Sequence, residues 1–369
     1  MDIIVKPLTP RLLPRLLTHV ELNKMMIEQW QRYLQQNGAQ FEENVVLHFG
    51  SPAIERQAAL QSDILTDLSY FGIIKVSGSD AAKFLQGQLT NDVLQVNTDQ
   101  SQLSAWCNPK GRIIVNFRLF KRQDAYYLFL PQASVEMTLK RLRMYILRAA
   151  VQLEEVSHQF VRLGIAGEQS VSLIADSLNC TPPTSINASL TLETTTIIRV
   201  QGVQPRYLLF TETPQLLWSL LAQSAHPVGA AIWQCLDILA GLPQVVPATS
   251  EEFVPQMINY SLIGGVSFNK GCYTGQEIVA RMQYLGTLKR RMYLARIDTT
   301  SLPQSGDALY VSNESQSVGK IVNAQWHPHG GVVVLAVIQI TQAEQNEVYW
   351  QTPSGEKLHW LDLPYSVTG

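Results

Sequence analysis

The chain has 369 residues, of which 46% are hydrophobic and 16% charged, and its formal net charge is −2. That length exceeds one ordinary core and predicts two or three domains, while the apolar content excludes a disordered chain. The near-neutral balance excludes a global attraction to nucleic acid or to acidic membranes, so any basic site is local.

The opening stretch MDIIVKPLTPRLLPRLL lacks a basic segment followed by an unbroken apolar run and is cut by proline, so it does not read as a secretory signal. Residues 11–36 follow a helical pattern with Gly38 placed as a C-cap, and residues 1–62 read as an N-terminal helical extension. A first α+β unit is expected over 63–157. It begins with the strand LSYFGIIKVSG (68–78) and the helix SDAAKFLQGQLTNDV (79–93). Strands follow at 102–107, 112–120 and 125–130, the first two joined by the turn NPKG, then a helix over 134–150 and a strand near 151–156. A similar order recurs over 158–285: strand 160–167, a helix near 168–177, strands 196–202 and 206–210, and helices 214–224 and 230–241. A proline-rich irregular segment then leads to about residue 268. The run of short strands over 286–369 predicts a small C-terminal β-barrel.

The apolar run VVVLAVI (332–338) is far shorter than the roughly 20 residues a membrane-spanning helix needs. Cys107, Cys180, Cys235 and Cys272 are scattered without a C-x-x-C pair, so neither a disulfide framework nor a zinc site is expected. The expectation is a protein of the reducing cytoplasm with no membrane partner. The dinucleotide, P-loop, zincin and nucleophile-elbow motifs are absent. His327 and His329 in HPH read as a surface turn, because no third ligand is spaced to join them. A basic helix face (Lys140, Arg141, Arg143, Arg148) and LKRR (288–291) offer cations for RNA, but without interleaved aromatics direct nucleic-acid binding is not expected.

One cysteine stands apart. NKGCYTGQEIVAR (269–281) sets Cys272 among polar and glycine residues just ahead of a helical pattern, rather than within an apolar run. Thr274 and Glu277 have the spacing of a capping box, which places Cys272 before a helix N-terminus. There the unpaired N–H groups, with Lys270 and Arg281 nearby, favour thiolate over thiol, so Cys272 is a candidate reactive sulfur. Glu277 is positioned to cap the helix and to pair with Arg281 at i+4, and Gln276 offers a neutral donor and acceptor to a ligand amide. Trp106, Trp233 and Tyr273 are stacking candidates for a planar ligand, though each also reads as core.

KGCYTGQEIVAR resembles the signature of the YgfZ family of folate-binding proteins, related in fold to the aminomethyltransferase (T-protein) of the glycine cleavage system. FLQGQLTNDV (84–93), WCNPKGRI (106–113), ILAGLPQV (238–245) and EFVPQMINY (252–260) resemble further segments of that family in the expected order. The resemblance implies an α+β fold of three domains in a ring, two ferredoxin-like units plus the small barrel, around a cavity that binds tetrahydrofolate or a related folate. It also implies a part in assembling or repairing iron–sulfur client proteins, including a tRNA-methylthiolating enzyme. Asp92 and Gln276 are then candidate partners for the pterin edge, and Lys110 and Arg112 for the anionic tail, all converging with Cys272 on one concave surface. The aminomethyltransferase branch resembles G-G-x-x-D-D where this chain has GRIIVN (111–116), so its catalytic aspartate position is Val115 or Asn116. Neither side chain carries the charge that proton transfer needs, which argues against aminomethyl transfer. Two alternatives stay open: a tetrahydrofolate-dependent one-carbon transferase that uses Cys272, and an RNA-binding module.

Overall fold

A computed structural model of the protein describes residues 19–312 and 314–367. The predicted helix before residue 19 lies outside the described residues. The described chain begins with α1 (His19–Gln36), a hairpin of β1 (Gln40–Glu42) and β2 (Val45–His48), and α2 (Pro52–Gln61). Ser51 Oγ caps α2 by accepting from Ile54 N at 3.5 Å, and Pro52 occupies the first turn, where its missing N–H is harmless.

The next elements are β3 (Ile64–Asp67), β4 (Phe71–Ser77), α3 (Ala81–Gln86), β5 (Gln102–Cys107), β6 (Ile113–Arg122), β7 (Ala125–Pro131), α4 (Gln132–Arg143) and β8 (Gln152–Glu155). Five of the strands form an antiparallel sheet in the order β5-β6-β7-β4-β8. With β4 between β7 and β8, this is the strand arrangement of a ferredoxin-like βαββαβ unit extended by β5. The strand expected from residue 68 begins only at Phe71, because Phe71 N closes a turn on Leu68 O at 3.0 Å.

The arrangement recurs with β9 (Val161–Ala166), α5 (Ser170–Leu178), β10 (Ser189–Thr191), β11 (Thr195–Val200), β12 (Arg206–Thr211), α6 (Pro214–Leu221) and β13 (His226–Val228). The sheet order is β10-β11-β12-β9-β3-β13. Thus β3 is inserted between β9 and β13, antiparallel to the first and parallel to the second. The two sheets face one another through aromatic residues, with the rings of Phe120 and Phe210 at 4.6 Å and those of Phe129 and Phe210 at 5.2 Å.

After α7 (Ala230–Leu239) an irregular segment leads to α8 (Gln276–Tyr284). The last elements are β14 (Arg290–Ile297), β15 (Ala308–Val311), β16 (Gly319–Trp326), β17 (Val332–Gln339), α9 (Ile340–Gln345), β18 (Val348–Trp350) and β19 (Leu358–Leu361). The predicted barrel is realised as a curled half-barrel, an antiparallel sheet in the order β18-β15-β16-β17-β14-β19. Its edges approach through a bridge between Tyr349 and Lys357. Among the described residues no helix is long and apolar enough to cross a membrane.

The described part of the N-terminal region is built into the second sheet's core. Trp30 and Leu34 of α1 are fully buried there, Trp30 edge-on to Trp218 at 5.4 Å. Trp30 Nε1 donates to the buried Asp67 carboxylate at 2.8 Å, which also accepts from Ser69 N and Ser69 Oγ. Trp30→Ala removes both the ring and a donor to a buried acid, so it should destabilise by about 3–5 kcal/mol. Urea unfolding of the variant checks this, and a loss below about 1 kcal/mol would mean that α1 is not part of the core.

Candidate functional site

Three segments remote in sequence meet around Lys270. Its Nζ donates to Leu89 O at 2.6 Å, Gln86 O at 2.7 Å and Asn91 O at 3.1 Å. These carbonyls lie at and just beyond the end of α3, where a short helix leaves acceptors without intrahelical partners. Burial lowers the Lys270 ammonium to about 8, while nearby Asp92 favours its charged form. The Tyr273 ring lies 5.0 Å from the ammonium and is itself buried. Lys270 therefore ties the cysteine segment to the first sheet unit rather than standing free beside the sulfur.

The turn NPKG seats the helix that follows. Asn108 Oδ1 accepts from Lys110 N at 2.9 Å and Arg112 N at 3.1 Å, forming the turn. Gly111 (φ +68°) and Gly275 (φ +83°) face each other in left-handed conformations. A Cβ on Gly275 would fall 2.4 Å from Asn108 O, and one on Gly111 would fall 3.0 Å from Ile278 Cβ. Only glycine permits this approach. Gly275 is the N-cap of α8, and the Thr274–Glu277 capping box does not form. Instead Gln276 Oε1 accepts from Tyr273 N at 3.3 Å, and Thr274 N is drawn to Gly87 O at 3.3 Å. The tertiary contact to residue 87 takes precedence over the local cap.

Cys272 is exposed on this segment, and Glu277 and Arg281 are exposed on α8, with no ion pair joining them among the described residues. Burial pushes the Cys235 thiol up to about 12 and also raises those of Cys107 and Cys180. Asp92 is engaged locally. Burial raises its carboxyl, but donors from Gln86 Nε2, Leu94 N and Gln95 Nε2, with Lys270, outweigh burial and hold it below its usual value. The Arg112 guanidinium turns to Glu252 O at 2.6 Å, while Lys110 is exposed. Arg141 of the basic helix face is bound to Glu251 at 2.6 Å, and Arg143 to Leu153 O at 3.1 Å.

A cavity lies between the facing sheets, α7 and the irregular segment. Its lining includes Phe129, Trp233, Asn116, Arg118, Asp237 and Tyr260. Of the residues assigned to a folate from sequence, Trp233 alone lines it. Trp106 is fully buried in the first unit's core, edge-on to Tyr145 at 5.8 Å, and Tyr273 packs under Lys270. Asn116 Nδ2 donates to Pro243 O at 2.8 Å and its Oδ1 accepts from Val245 N at 2.7 Å. Its amide thus latches the irregular segment to β6. Val115 is buried on the opposite face of the strand, in the first unit's core.

Arg118, Arg206, Asp237 and Tyr260 were not singled out from sequence. Arg206 stacks on Trp233 at 4.2 Å, pairs with Asp237, and donates to Leu236 O at 2.9 Å. Burial raises the Asp237 carboxyl and Arg206 opposes that shift. Tyr260 Oη donates to Ser104 O at 3.1 Å. The available signal was a charge inside an otherwise apolar element: Arg118 in RIIVNFRLF, Arg206 in RYLLF and Asp237 in AAIWQCLDILAG. Among the described residues no group of three or more His, Cys, Asp or Glu is placed to hold a metal ion.

Lys270 has a pH signature. An unfolded lysine keeps its proton to about 10.4, whereas folded Lys270 releases it near 8. In that window the unfolded chain binds more protons, so Lys270 makes the unfolding free energy rise with pH. Below pH 8 both states are protonated and the slope vanishes. Urea midpoints of the wild type and Lys270→Met from pH 7 to 10 should diverge upward for the wild type, and a constant difference would rule this out.

Comparison with known proteins agrees with this architecture. The GCVT N-terminal domain pattern matches residues 25–236. The chain is 33% identical over 284 residues to the tRNA-modifying protein YgfZ of Colwellia psychrerythraea, covering 76% of this chain and 87% of that protein. It is 30% identical over 334 residues to the protein of the same name from Photobacterium profundum, covering 87% and 97%. The counterpart from Escherichia coli is 32% identical over 307 residues, covering 82% and 93%. The crystal structure of the glycine cleavage system aminomethyltransferase T from Bartonella henselae shares the fold with a TM-score of 0.75 at 17% identity, covering 92% of this chain and 96% of that one.

Proposed function

The chain belongs to the YgfZ family of GCVT-domain proteins, and on that premise we propose that it is a folate-binding, tRNA-modification-associated factor that assists assembly or repair of iron–sulfur enzymes. In this reading tetrahydrofolate or a derivative occupies the cavity between the sheets, and Cys272 presents a reactive sulfur to client proteins. The three units of this proposal are residues 63–157, 158–285 and 286–369, with α1 and β3 joined to the second unit instead of forming a separate extension or part of the first. The observation that carries it is the placement of Cys272: exposed, on a segment held by the three carbonyl contacts of Lys270. A sulfur held outward on a fixed segment suits a macromolecular partner better than a small substrate enclosed in a pocket.

The cavity fits the ligand class. Its aromatic lining with a few directed polar groups suits a flat heterocycle bearing a charged tail. The ring of Trp233 is covered by Arg206, so the stacking surface for a pterin is limited to what the guanidinium leaves free. The fold also disfavours the one-carbon transferase alternative, because Asn116 in the aspartate region is neutral and both its amide groups are bonded to backbone. The RNA-binding alternative is weakened in the same way, since Arg141 and Arg143 are engaged within the protein.

Calorimetric titration should detect tetrahydrofolate binding in the micromolar range, on the order of −8 kcal/mol, with a matching rise in thermal stability. No heat at millimolar ligand would refute the folate reading.

Iodoacetamide labelling followed at each cysteine by mass spectrometry should modify Cys272 first at pH 7, because the other three are shielded to differing degrees and their thiols raised by burial. Cys272→Ala should abolish support of iron–sulfur enzymes in a complementation assay while leaving the fold and folate binding intact. Full complementation by that variant would remove Cys272 from the function.

A further inference from the structure

The two sheets and α7 bury four arginines, and three of them are compensated. Arg122 pairs with Glu212 at 2.6 Å and Arg206 pairs with Asp237. Arg162 donates to the carbonyls of Ser157, Phe160, Ser69 and Phe71 and lies near Asp67. Arg118 is the exception. Its side chain is 5% exposed, and its bonds run from Nη1 alone, to the neutral acceptors Asn187 Oδ1 at 2.7 Å and Ser101 Oγ at 3.1 Å. Among the described residues no carboxylate pairs with it, and Asp237, the acid that acts on it from a distance, is already bound to Arg206. A buried guanidinium with no anion carries a desolvation penalty that neutral acceptors on one nitrogen offset only in part.

The direction of this charge is set by the fold. Arg118 stands two residues beyond Asn116 on β6, so both occupy one face of the strand, and both line the cavity. Opposite Arg118 in register are Leu103 on β5 and Phe129 on β7, which also line the cavity and supply no competing acceptor from their side chains. Asn187 and Ser101 hold Nη1, which fixes the planar guanidinium, and among the described residues no acceptor bonds its remaining N–H groups. A preoriented, incompletely satisfied guanidinium in an apolar, aromatic-walled space is suited to bidentate recognition of a carboxylate.

We propose that Arg118 is the specificity-determining residue of the cavity and binds a carboxylate group on an aromatic or heteroaromatic ligand. In this proposal Arg118, in place of Lys110 and Arg112, holds the anionic tail. Only the identity of that ligand as a folate rests on the function proposed above.

The test is calorimetric titration of wild type, Arg118→Met and Arg118→Lys with three probes. Tetrahydrofolate carries both a pterin and carboxylates, 6-methyltetrahydropterin lacks the anion, and 1-naphthoate is an aromatic ring with one carboxylate. Arg118→Met should weaken tetrahydrofolate and 1-naphthoate at least tenfold and leave 6-methyltetrahydropterin unchanged, with Arg118→Lys between. Without ligand, Arg118→Met should unfold at the wild-type temperature or above it, because it removes an uncompensated buried charge. Should Arg118→Met not fold, the wild type alone decides: 1-naphthoate must bind at least tenfold tighter than 1-naphthamide. Equal affinities of wild type and Arg118→Met for both carboxylates would overturn the proposal, as would equal binding of naphthoate and naphthamide. If the wild type binds neither pterin-containing probe but binds 1-naphthoate in an Arg118-dependent way, the folate reading falls and the carboxylate subsite stands.

Discussion

The arrangement of the candidate site depends on a partly buried ammonium. Lys270 is drawn out of water to satisfy the carbonyl of Gln86 at the end of α3 and those of Leu89 and Asn91 in the loop beyond it. The link joins residues 184 and 179 positions apart in the chain. Such a contact is stable because an ammonium has three donors and finds three acceptors. It sets the path of the segment that follows, so that Tyr273 turns inward, Cys272 outward, and Gly275 meets the NPKG turn. Beside it, the Thr274–Gly87 bond, the close glycine contact and the core that Val279 shares with Ala105, Cys107 and Ile113 tie the segment to the first unit.

A second constraint is the distribution of buried charge between the sheets. Arg206, Asp237 and Trp233 form a group in which the guanidinium is paired with a carboxylate and stacked on a ring, although Arg206 Nε is left without an acceptor. Asn116 is closed on the irregular segment. The cavity is therefore lined by groups already committed, with Arg118 left incompletely matched. That contrast separates groups that hold the fold from the one that is free to select a ligand. It also gives a physical account of the difference from the aminomethyltransferase pattern: the aspartate region of β6 has become a structural latch.

The extension and the half-barrel complete surfaces that the two α+β units cannot close alone. Strand β3 supplies a hydrogen-bonding edge between β9 and β13, and its parallel pairing with β13 follows because both run opposite to β9. Trp30 then covers the outer core of that sheet and satisfies Asp67 at the end of β3. Residues before the first ferredoxin-like unit are thus integral to the second. At the other end, Met292 and Leu294 of β14 and Leu335 of β17 share a core with Cys235 of α7 and Val279 of α8, which seats the half-barrel against both helices.

Local pattern alone made much of this legible. Period-two and helical spacing, with the Pro-Gly turn at 109–111, marked the two α+β units and their repeated order, because those signals are carried by neighbouring residues. The polar setting of Cys272 set it apart from the other three cysteines for the same reason, but its expected place on one concave surface with the folate residues does not follow from pattern, and it is exposed outside the cavity lining. What the sequence did not determine was which of the competing partners each polar group would find. Thr274 and Glu277 had the spacing of a capping box, yet Thr274 N bonds to Gly87 and Gln276 takes over near the helix start. Asp92, Arg112 and Arg141 were candidates for a ligand until the fold brought them Gln86, Glu252 and Glu251. Arg118 reads in the sequence as one polar residue in a strand, and its meaning comes from having, among the described residues, no anionic partner in the space between two sheets. A hydrogen bond or a burial penalty is a property of what lies within a few ångströms, and for these residues that neighbourhood is assembled from segments far apart in the chain, which tertiary structure alone decides.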